Sequence, residues 1–211
     1  MARVLSVNVG RPRAVSTGKR TVTTAIWKSP VEGRVAVRGV NLDGDDQADR
    51  TVHGGPDKAV YAYGAEETAR WETELGRELG PAPFGENLTT EGLAVSEALL
   101  GERWRIGTTL LEVVQPRLPC FKLGLRMGDP RFVRRFARAS RPGAYLRIVE
   151  EGELGAGDTV EVDVANLPDH GVSMRLISDA ILLDQSLIPQ VLEAPGLLPS
   201  LREWMTGFAR R

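Results

Sequence analysis

Short apolar runs separated by turn residues dominate the chain up to about residue 164. Gly, Pro and Asp separate these runs, and this alternation is typical of a β-rich domain. The candidate strands are RVLSVNV, TTAIW, GRVAVRGV, KAVYAY, WRIGTTLLEVVQ, AYLRIVE and DTVEVDV. Their number and spacing predict a closed or partly closed β-barrel, an arrangement that leaves no sheet edge exposed.

Two segments inside this region have helical periodicity instead. AEETARWETELGREL places Trp71, Leu75 and Leu79 on one face, with acids crowded into its first turns. DPRFVRRFARAS predicts a helix with Asp129 as its N-cap and with Phe132 and Phe136 facing inward. We therefore expect a mainly β fold with helices inserted between strands.

After residue 172 the β pattern gives way to a helical one. The three helical stretches are 173–184, 186–194 and 198–210. Each has an apolar face, which predicts a small helical subdomain that packs on the barrel or on a partner. The sequence thus divides into a β-barrel domain over 1–165 and a C-terminal three-helix extension over 172–211.

The composition is that of an ordinary soluble protein. The chain is 42% hydrophobic and 26% charged, with a net charge of −1, which excludes disordered and fibrous classes. It has no run of the roughly 18 apolar residues that a bilayer span requires, and its N-terminus lacks the apolar core of a signal peptide. We therefore expect a cytoplasmic protein with no membrane partner.

A single cysteine excludes an internal disulfide, a Cys-rich zinc site and an iron–sulfur cluster.

Positive charge is concentrated in one segment. Between Gln115 and Arg147 nine Lys and Arg residues accompany a single acid, a local charge of +8. Such a local field suits an anionic ligand. Arg134, Arg135 and Arg138 fit a solvated helix face equally well.

The only cysteine, Cys120, lies in QPRLPCFKL within this basic segment. The two prolines cannot donate hydrogen bonds to a sheet, so the preceding strand should end there and Cys120 should lie on a loop at its mouth. Arg117 and Lys122 lie within three residues of the thiol and favour the thiolate, which attacks electrophiles or binds soft metals. A lone cysteine is also commonly a small buried apolar residue.

Two further motifs offer polar groups next to glycines. In VHGGPDKAVYAY the amides of Gly54 and Gly55, together with Lys58, suit a phosphate. In FGENLTTEGL a turn presents Glu86 and Asn87. Each motif alone fits an ordinary turn between strands equally well.

Taken together, TAIWKSPVEG, LDGDDQADRTVHGGPDKAVYAY, FGENLTTEGL and QPRLPCFKL, in this order, resemble MOSC-domain proteins, the domain named for the C-terminus of molybdenum cofactor sulfurase. The resemblance spans most of residues 1–165 and is nearest to the stand-alone bacterial YiiM-like type, which carries a C-terminal three-helix extension. It implies a β-barrel MOSC fold that holds the molybdenum cofactor, a pyranopterin dithiolene with a terminal phosphate.

The resemblance also implies roles for individual residues. Cys120 matches the protein's ligand to molybdenum and is the expected catalytic residue. Residues that match the cofactor pocket by position are Lys28, His53, Gly54, Gly55, Asp57, Lys58, Glu86, Asn87, Arg117 and Lys122. Glu86 and Asn87 would hydrogen-bond around the pterin or metal, Arg117 and Lys122 would balance charge, and Lys28 is a candidate for the phosphate.

The implied activity is that of a molybdenum-dependent oxidoreductase that reduces N-hydroxylated compounds, such as hydroxylaminopurines and amidoximes, to amines. Because one cysteine cannot support an iron–sulfur relay, electrons must come from a separate reductase. The helical extension and the Arg-rich face are both candidates for its docking surface. A homodimer is one arrangement that the sequence leaves open.

Three other functions compete with this one. A molybdenum cofactor or sulfur carrier would keep the pocket and use Cys120 as a persulfide acceptor, without reductase turnover. A Cys–His hydrolase would pair Cys120 with His53 or His170, but the chain has no recognisable nucleophile elbow. A nucleic-acid-binding barrel would use the basic segment, but that segment shows little aromatic interleaving and the whole chain is slightly acidic, so we expect no nucleic-acid partner.

Overall fold

A computed structural model describes residues 1–18, 20–48 and 54–209, which contain thirteen β-strands and six α-helices. The strands are β1 (Arg3–Val9), β2 (Arg13–Ser16), β3 (Thr21–Thr24), β4 (Ser29–Val31), β5 (Arg34–Arg38), β6 (Asn41–Leu42), β7 (Val60–Gly64), β8 (Leu88–Glu91), β9 (Arg103–Ile106), β10 (Thr109–Pro116), β11 (Ala144–Glu150), β12 (Gly152–Gly155) and β13 (Val160–Val162). The helices are α1 (Ala65–Leu75), α2 (Phe121–Met127), α3 (Phe132–Ala139), α4 (Met174–Leu182), α5 (Ile188–Leu192) and α6 (Pro199–Ala209). The expectation of a mainly β fold with helices is confirmed.

Eight strands form one mixed sheet in the order β13, β9, β10, β11, β7, β8, β1, β4. All neighbours in it run antiparallel except β7 and β8, which are parallel. A second sheet contains β12, β5 and β6, and β2 pairs with β3 as a hairpin. The run WRIGTTLLEVVQ, which reads as one strand, is divided by the turn at Gly107 into the paired strands β9 and β10.

The predicted closed barrel is not confirmed, because the large sheet ends at β4 and β13. The segment before β13 does approach β1, since Val4 N donates to Asp158 O and Val160 N donates to Ala2 O, both at 2.9 Å. This approach amounts to an isolated bridge between Arg3 and Thr159, not to a ladder that continues along both strands.

Helix α3 differs from the predicted segment at its beginning, and helix α1 differs at its end. Helix α3 starts at Phe132 with Arg131 as N-cap, not Asp129. Asp129 Oδ1 instead accepts a hydrogen bond from Arg131 N at 2.9 Å, in the turn before the helix. Helix α1 ends at Leu75, before the predicted end at Leu79, because Gly76 follows as C-cap with a φ of +65° that suits glycine.

The C-terminal helices α4, α5 and α6 lie within the predicted stretches and share an apolar core with the large sheet. Met174 and Ile177 of α4 and Met205 of α6 are fully buried in the same cluster as Leu111 and Val113 of β10. The division of the chain at residues 165–172 stays a prediction. In the described part of the chain no helix combines the length and apolarity needed to cross a bilayer.

A second, aromatic core packs α1 and α3 against β7. The rings of Trp71 and Phe136 stack with centroids 6.0 Å apart, and Trp71 Nε1 donates to the Tyr63 hydroxyl at 2.9 Å. Phe84 packs against Tyr63 with centroids 4.5 Å apart. Burial of such large rings strongly stabilises a core, so this cluster gives a rigid base to the loops at the adjacent end of the sheet.

Candidate functional site

A pocket of about 100 Å³ opens where loops that follow several strands meet. Six of the residues singled out from the sequence line it, namely Lys28, Lys58, Asn87, Arg117, Cys120 and Lys122. Residues that sequence reasoning did not single out complete the wall, among them Asp45, Gln47, Tyr61, Phe84 and Tyr145. The pocket therefore combines a thiol with four cationic side chains and the two acids Asp45 and Asp46.

Cys120 lies between β10 and α2. Strand β10 ends at Pro116, as the prolines predict, and Cys120 follows as the N-cap of α2 with an extended backbone. Its carbonyl accepts a hydrogen bond from Leu123 N at 2.9 Å. The residue is half-buried and lines the pocket, so it is not enclosed within the apolar core. Helix α2 itself is absent from the predicted elements.

Arg117 lines the pocket and packs against two aromatic rings. It is buried, with its guanidinium carbon 5.6 Å from the ring centroid of Tyr61 and 5.5 Å from that of Phe136. Its Nη1 is buried without a hydrogen-bond partner among the described residues. Burial acts to lower the pKa of Arg117, but Tyr61, Tyr145, Cys120 and Glu86 together raise it, and the net shift is upward. The pocket therefore contains a buried positive charge with unused donor capacity, which favours an anionic ligand.

Asp45 organises the opposite side of the pocket. Its Oδ1 accepts hydrogen bonds from Gly10 N at 2.7 Å and from Lys28 Nζ, and its Oδ2 accepts one from Asn87 Nδ2 at 2.9 Å. The Lys28 and Asp45 side chains are 8% and 3% exposed. Burial lowers the pKa of Lys28, although Asp45 opposes this shift. Lys28 is thus already paired, and Asp45 holds it at the pocket.

Most hydrogen bonds of Asn87 are made with backbone groups. Tyr61 N donates to Asn87 Oδ1 at 3.1 Å, and Asn87 N donates to Tyr61 O at 2.7 Å. Asn8 N donates to Asn87 O at 2.7 Å. These bonds connect β1, β7 and β8, so Asn87 positions the pocket wall as well as lining it.

Glu86 is completely buried and does not line the pocket. Its Oε2 accepts a hydrogen bond from Phe84 N at 3.0 Å, and its Oε1 has no partner among the described residues. Burial raises the pKa of Glu86 to about 7, although backbone hydrogen bonds and Arg117 oppose the shift. A carboxyl group in this position changes charge near neutral pH.

The glycine motif lies beside the pocket. Gly55 N donates to Gln47 Oε1 at 2.7 Å, and a Cβ at Gly54 would lie 2.3 Å from the same oxygen. The two glycines therefore let Gln47, which lines the pocket, approach the backbone. Asp57 faces away and pairs with Arg147 Nη2 at 3.3 Å. His53 lies outside the described residues.

The basic segment around Cys120 is divided between several sites. Arg117 and Lys122 line the pocket. Arg141 lies 4.3 Å from the Trp71 ring and pairs with Glu74 at 2.6 Å. The arginines of α3 line a separate groove. Within the described residues no three His, Cys, Asp or Glu side chains form a metal-binding group, so the pocket offers a metal one thiol and not a full ligand set.

Comparison with known proteins places the chain in a family. Residues 49–161 match the MOSC domain. The chain is 39% identical over 211 residues to the uncharacterised protein YflK of Bacillus subtilis, covering 99% of this chain and 93% of YflK. It is 32% identical over 163 residues to a protein of Gibberella moniliformis named reductase, covering 75% of this chain and 29% of that protein.

The fold agrees with a solved structure over almost its full length. The crystal structure of YiiM from Geobacillus stearothermophilus superposes with a TM-score of 0.78 at 30% sequence identity, covering 98% of each chain. The match includes the C-terminal helices as well as the sheet. The chain therefore belongs to the MOSC domain family and is a YiiM-like member of it.

Proposed function

We propose that this protein binds the molybdenum cofactor through Cys120 and reduces N-hydroxylated compounds to the corresponding amines. The observation that carries the proposal is that Cys120 and the cations Lys28, Lys58, Arg117 and Lys122 line one pocket. A thiolate is a soft ligand that suits a metal already held by sulfur. The surrounding cations suit the phosphate and dithiolene of the cofactor.

The residues present fit this group. Arg117 Nη1 offers a buried donor with no partner among the described residues, and Cys120 offers the only thiol of the chain. The pocket volume of about 100 Å³ is below the roughly 300–1,000 Å³ of sites that enclose a drug-sized ligand. The enclosed space therefore fits one end of a large ligand, and the rest of the cofactor would extend from the pocket.

The cofactor, when bound, would supply two-electron redox chemistry at its metal. The overall reaction consumes R–NH–OH, two electrons and two protons and yields R–NH₂ and water. Burial keeps the pKa of Tyr61 well above its ordinary value, so this phenol remains neutral. Arg117, which packs against the Tyr61 ring, keeps its positive charge in the pocket wall during the reaction.

The family and its named relatives support an oxidoreductase role. The MOSC domain is associated with molybdenum cofactor binding, and the fungal relative is named a reductase. The match covers 29% of the fungal protein, so its name supports the general class of reaction and not a substrate. A cofactor or sulfur carrier that uses the same pocket remains the alternative.

Turnover with an artificial donor separates the two functions. The protein would be produced in a host that makes the cofactor, assayed for molybdenum, and supplied anaerobically with reduced methyl viologen and either benzamidoxime or a hydroxylaminopurine. We expect near-stoichiometric molybdenum and amine formation. Loss of a residue that only supports a metal ligand typically lowers activity by roughly 10–100-fold. In Cys120→Ala we expect the turnover rate to fall by more than this. Arg38→Ala, in an exposed ion pair, is the matched control. Molybdenum without turnover would indicate a carrier, and no molybdenum would contradict both functions.

A further inference from the structure

The outer face of α3 carries arginines that the protein does not neutralise. Arg134 and Arg138, one turn apart, are exposed and form no hydrogen bond or ion pair in the described part of the chain. Arg131 is 93% exposed and reaches only Asp129, at 3.4 Å. Arg135 donates to the carbonyl of Glu74 at 2.9 Å and forms no ion pair in the described part of the chain. Together these four residues, which we call the α3 arginine face, present a strong positive field to solvent.

This face borders a groove that has no acidic lining residue. The residues that line the groove are Pro119, Pro130, Arg131, Val133, Arg134, Arg135, Ala137, Arg138 and Leu182. Two other arginines nearby in the fold are paired, since Arg141 contacts Glu74 and Arg175 contacts Glu97, both at 2.6 Å. The arginines within α3, namely Arg134, Arg135 and Arg138, form no ion pair in the described part of the chain.

The groove ends next to the pocket. Pro119 lines the groove and the adjacent Cys120 lines the pocket. On either side of these two residues, the side chains of Leu118 and Phe121 are exposed, at 39% and 44%. An apolar patch bordered by charges of one sign is typical of a protein-docking surface, where the charges steer the encounter.

We propose that the α3 arginine face, with Leu118 and Phe121, is the docking site of a small acidic electron-carrier protein. This inference rests on the proposed function, which requires electrons from outside the chain. A donor seated on the groove lies one residue from the proposed metal ligand. Charge complementarity selects an acidic partner, and encounters of redox proteins use small interfaces with exposed charge. The carrier delivers the two electrons singly or as a pair, and solvent supplies the two protons.

Direct binding tests this surface independently of turnover. The holoprotein would be titrated with a small acidic [2Fe–2S] ferredoxin and with a small acidic flavodoxin at low and at high salt. Arg134→Glu/Arg138→Glu would be compared with Arg38→Glu/Arg105→Glu, which changes the net charge equally at exposed positions on β5 and β9. We expect the Kd for the donor to rise about tenfold or more in the α3 variant, to change less than about twofold in the control, and to rise with salt in the unchanged protein.

The same variants distinguish this proposal from the proposed function. With reduced methyl viologen, both should turn over as the unchanged protein does, because a small dye needs no docking surface. Equal losses of binding in the two variants, or no binding of either donor at low salt, would overturn the docking site. Tighter binding of a DNA duplex than of either donor to the same arginines would also overturn it. If the unchanged protein produced no amine with reduced methyl viologen, that result would instead contradict the proposed function.

Discussion

The side-chain amide of Asn87 donates to Oδ2 of Asp45 at 2.9 Å, and this bond joins two loops that are 42 residues apart in the chain. Through its other oxygen, Asp45 also holds Lys28. The cationic side of the pocket is therefore built on a buried carboxylate that accepts hydrogen bonds from Asn87, from Lys28 and from Gly10, the residue that follows β1.

Removal of the Asp45 charge should destabilise the protein. Asp45→Asn leaves Lys28 buried without its counter-charge, and breaking a buried pair in this way costs about 3–5 kcal/mol. We expect a loss of about this size in the free energy of unfolding, measured by urea denaturation at pH 7. The double variant Asp45→Asn/Lys28→Met should recover part of it. A loss below about 0.5 kcal/mol in the single variant would show that the pair does not hold the pocket.

Glu86 should make stability depend on pH. Because burial raises its pKa from 4.5 to about 7, the folded protein retains a proton that the unfolded chain loses between these values. The free energy of unfolding should therefore fall as pH rises through this window. Glu86→Gln removes the effect. We expect the variant to exceed the unchanged protein by up to about 3 kcal/mol at pH 8 and to match it near pH 4.5. Equal stabilities at pH 8 would mean that the buried carboxylate carries no penalty.

Arg117 should matter for ligand binding more than for folding. In Arg117→Met the contacts with the Tyr61 and Phe136 rings are lost, but so is a buried charge that lacks a partner at Nη1. We expect the unfolding free energy of cofactor-free protein to stay within about 1 kcal/mol of the unchanged value or to rise. The molybdenum content of protein made in a cofactor-producing host should fall about tenfold. A stability loss larger than about 2 kcal/mol with normal molybdenum content would reverse this assignment.

Gly143 should be intolerant of a side chain. Its φ is +66°, and an added Cβ would lie 2.6 Å from Ala62 O and 2.8 Å from Tyr63 Cδ2. Gly143→Ala therefore combines backbone strain of about 1–2 kcal/mol with overpacking of about 1–3 kcal/mol. Gly76→Ala is the control, because Gly76 has a φ of +65° but nothing within 4 Å of an added Cβ. We expect thermal unfolding to show the larger loss at Gly143, and equal losses would mean that the β7 backbone moves aside freely.

The sequence predicts eight of the thirteen described strands, in whole or in part, and five of the six helices, because their patterns are local. Strands β1 and β11 have the predicted bounds, and the inward rings of Phe132 and Phe136 follow from helical spacing. Helix α2 is missed because its seven residues follow a proline-rich loop and are too few to establish a period. Strand β8 is missed because its parallel pairing with β7 depends on contacts that no local pattern encodes.

The sequence predicts those site residues whose type alone indicates their chemistry. It misses those whose role depends on contacts in the folded protein. The sole cysteine and the adjacent Arg117 draw attention by type, and both line the pocket. Asp45 lies in the NLDGDDQAD stretch among other acids, and only its hydrogen bonds to Gly10 and Asn87 distinguish it. Asp57 shows the converse, since its motif suggests the pocket but its carboxylate pairs with Arg147 outside it.

The central claim is that the sulfur of Cys120 binds molybdenum. X-ray absorption at the molybdenum edge counts the sulfur atoms around the metal and so tests the claim directly. In holoprotein we expect the two dithiolene sulfurs and one more, and in Cys120→Ser that retains the metal we expect one sulfur fewer. The same sulfur count in both proteins would contradict the claim.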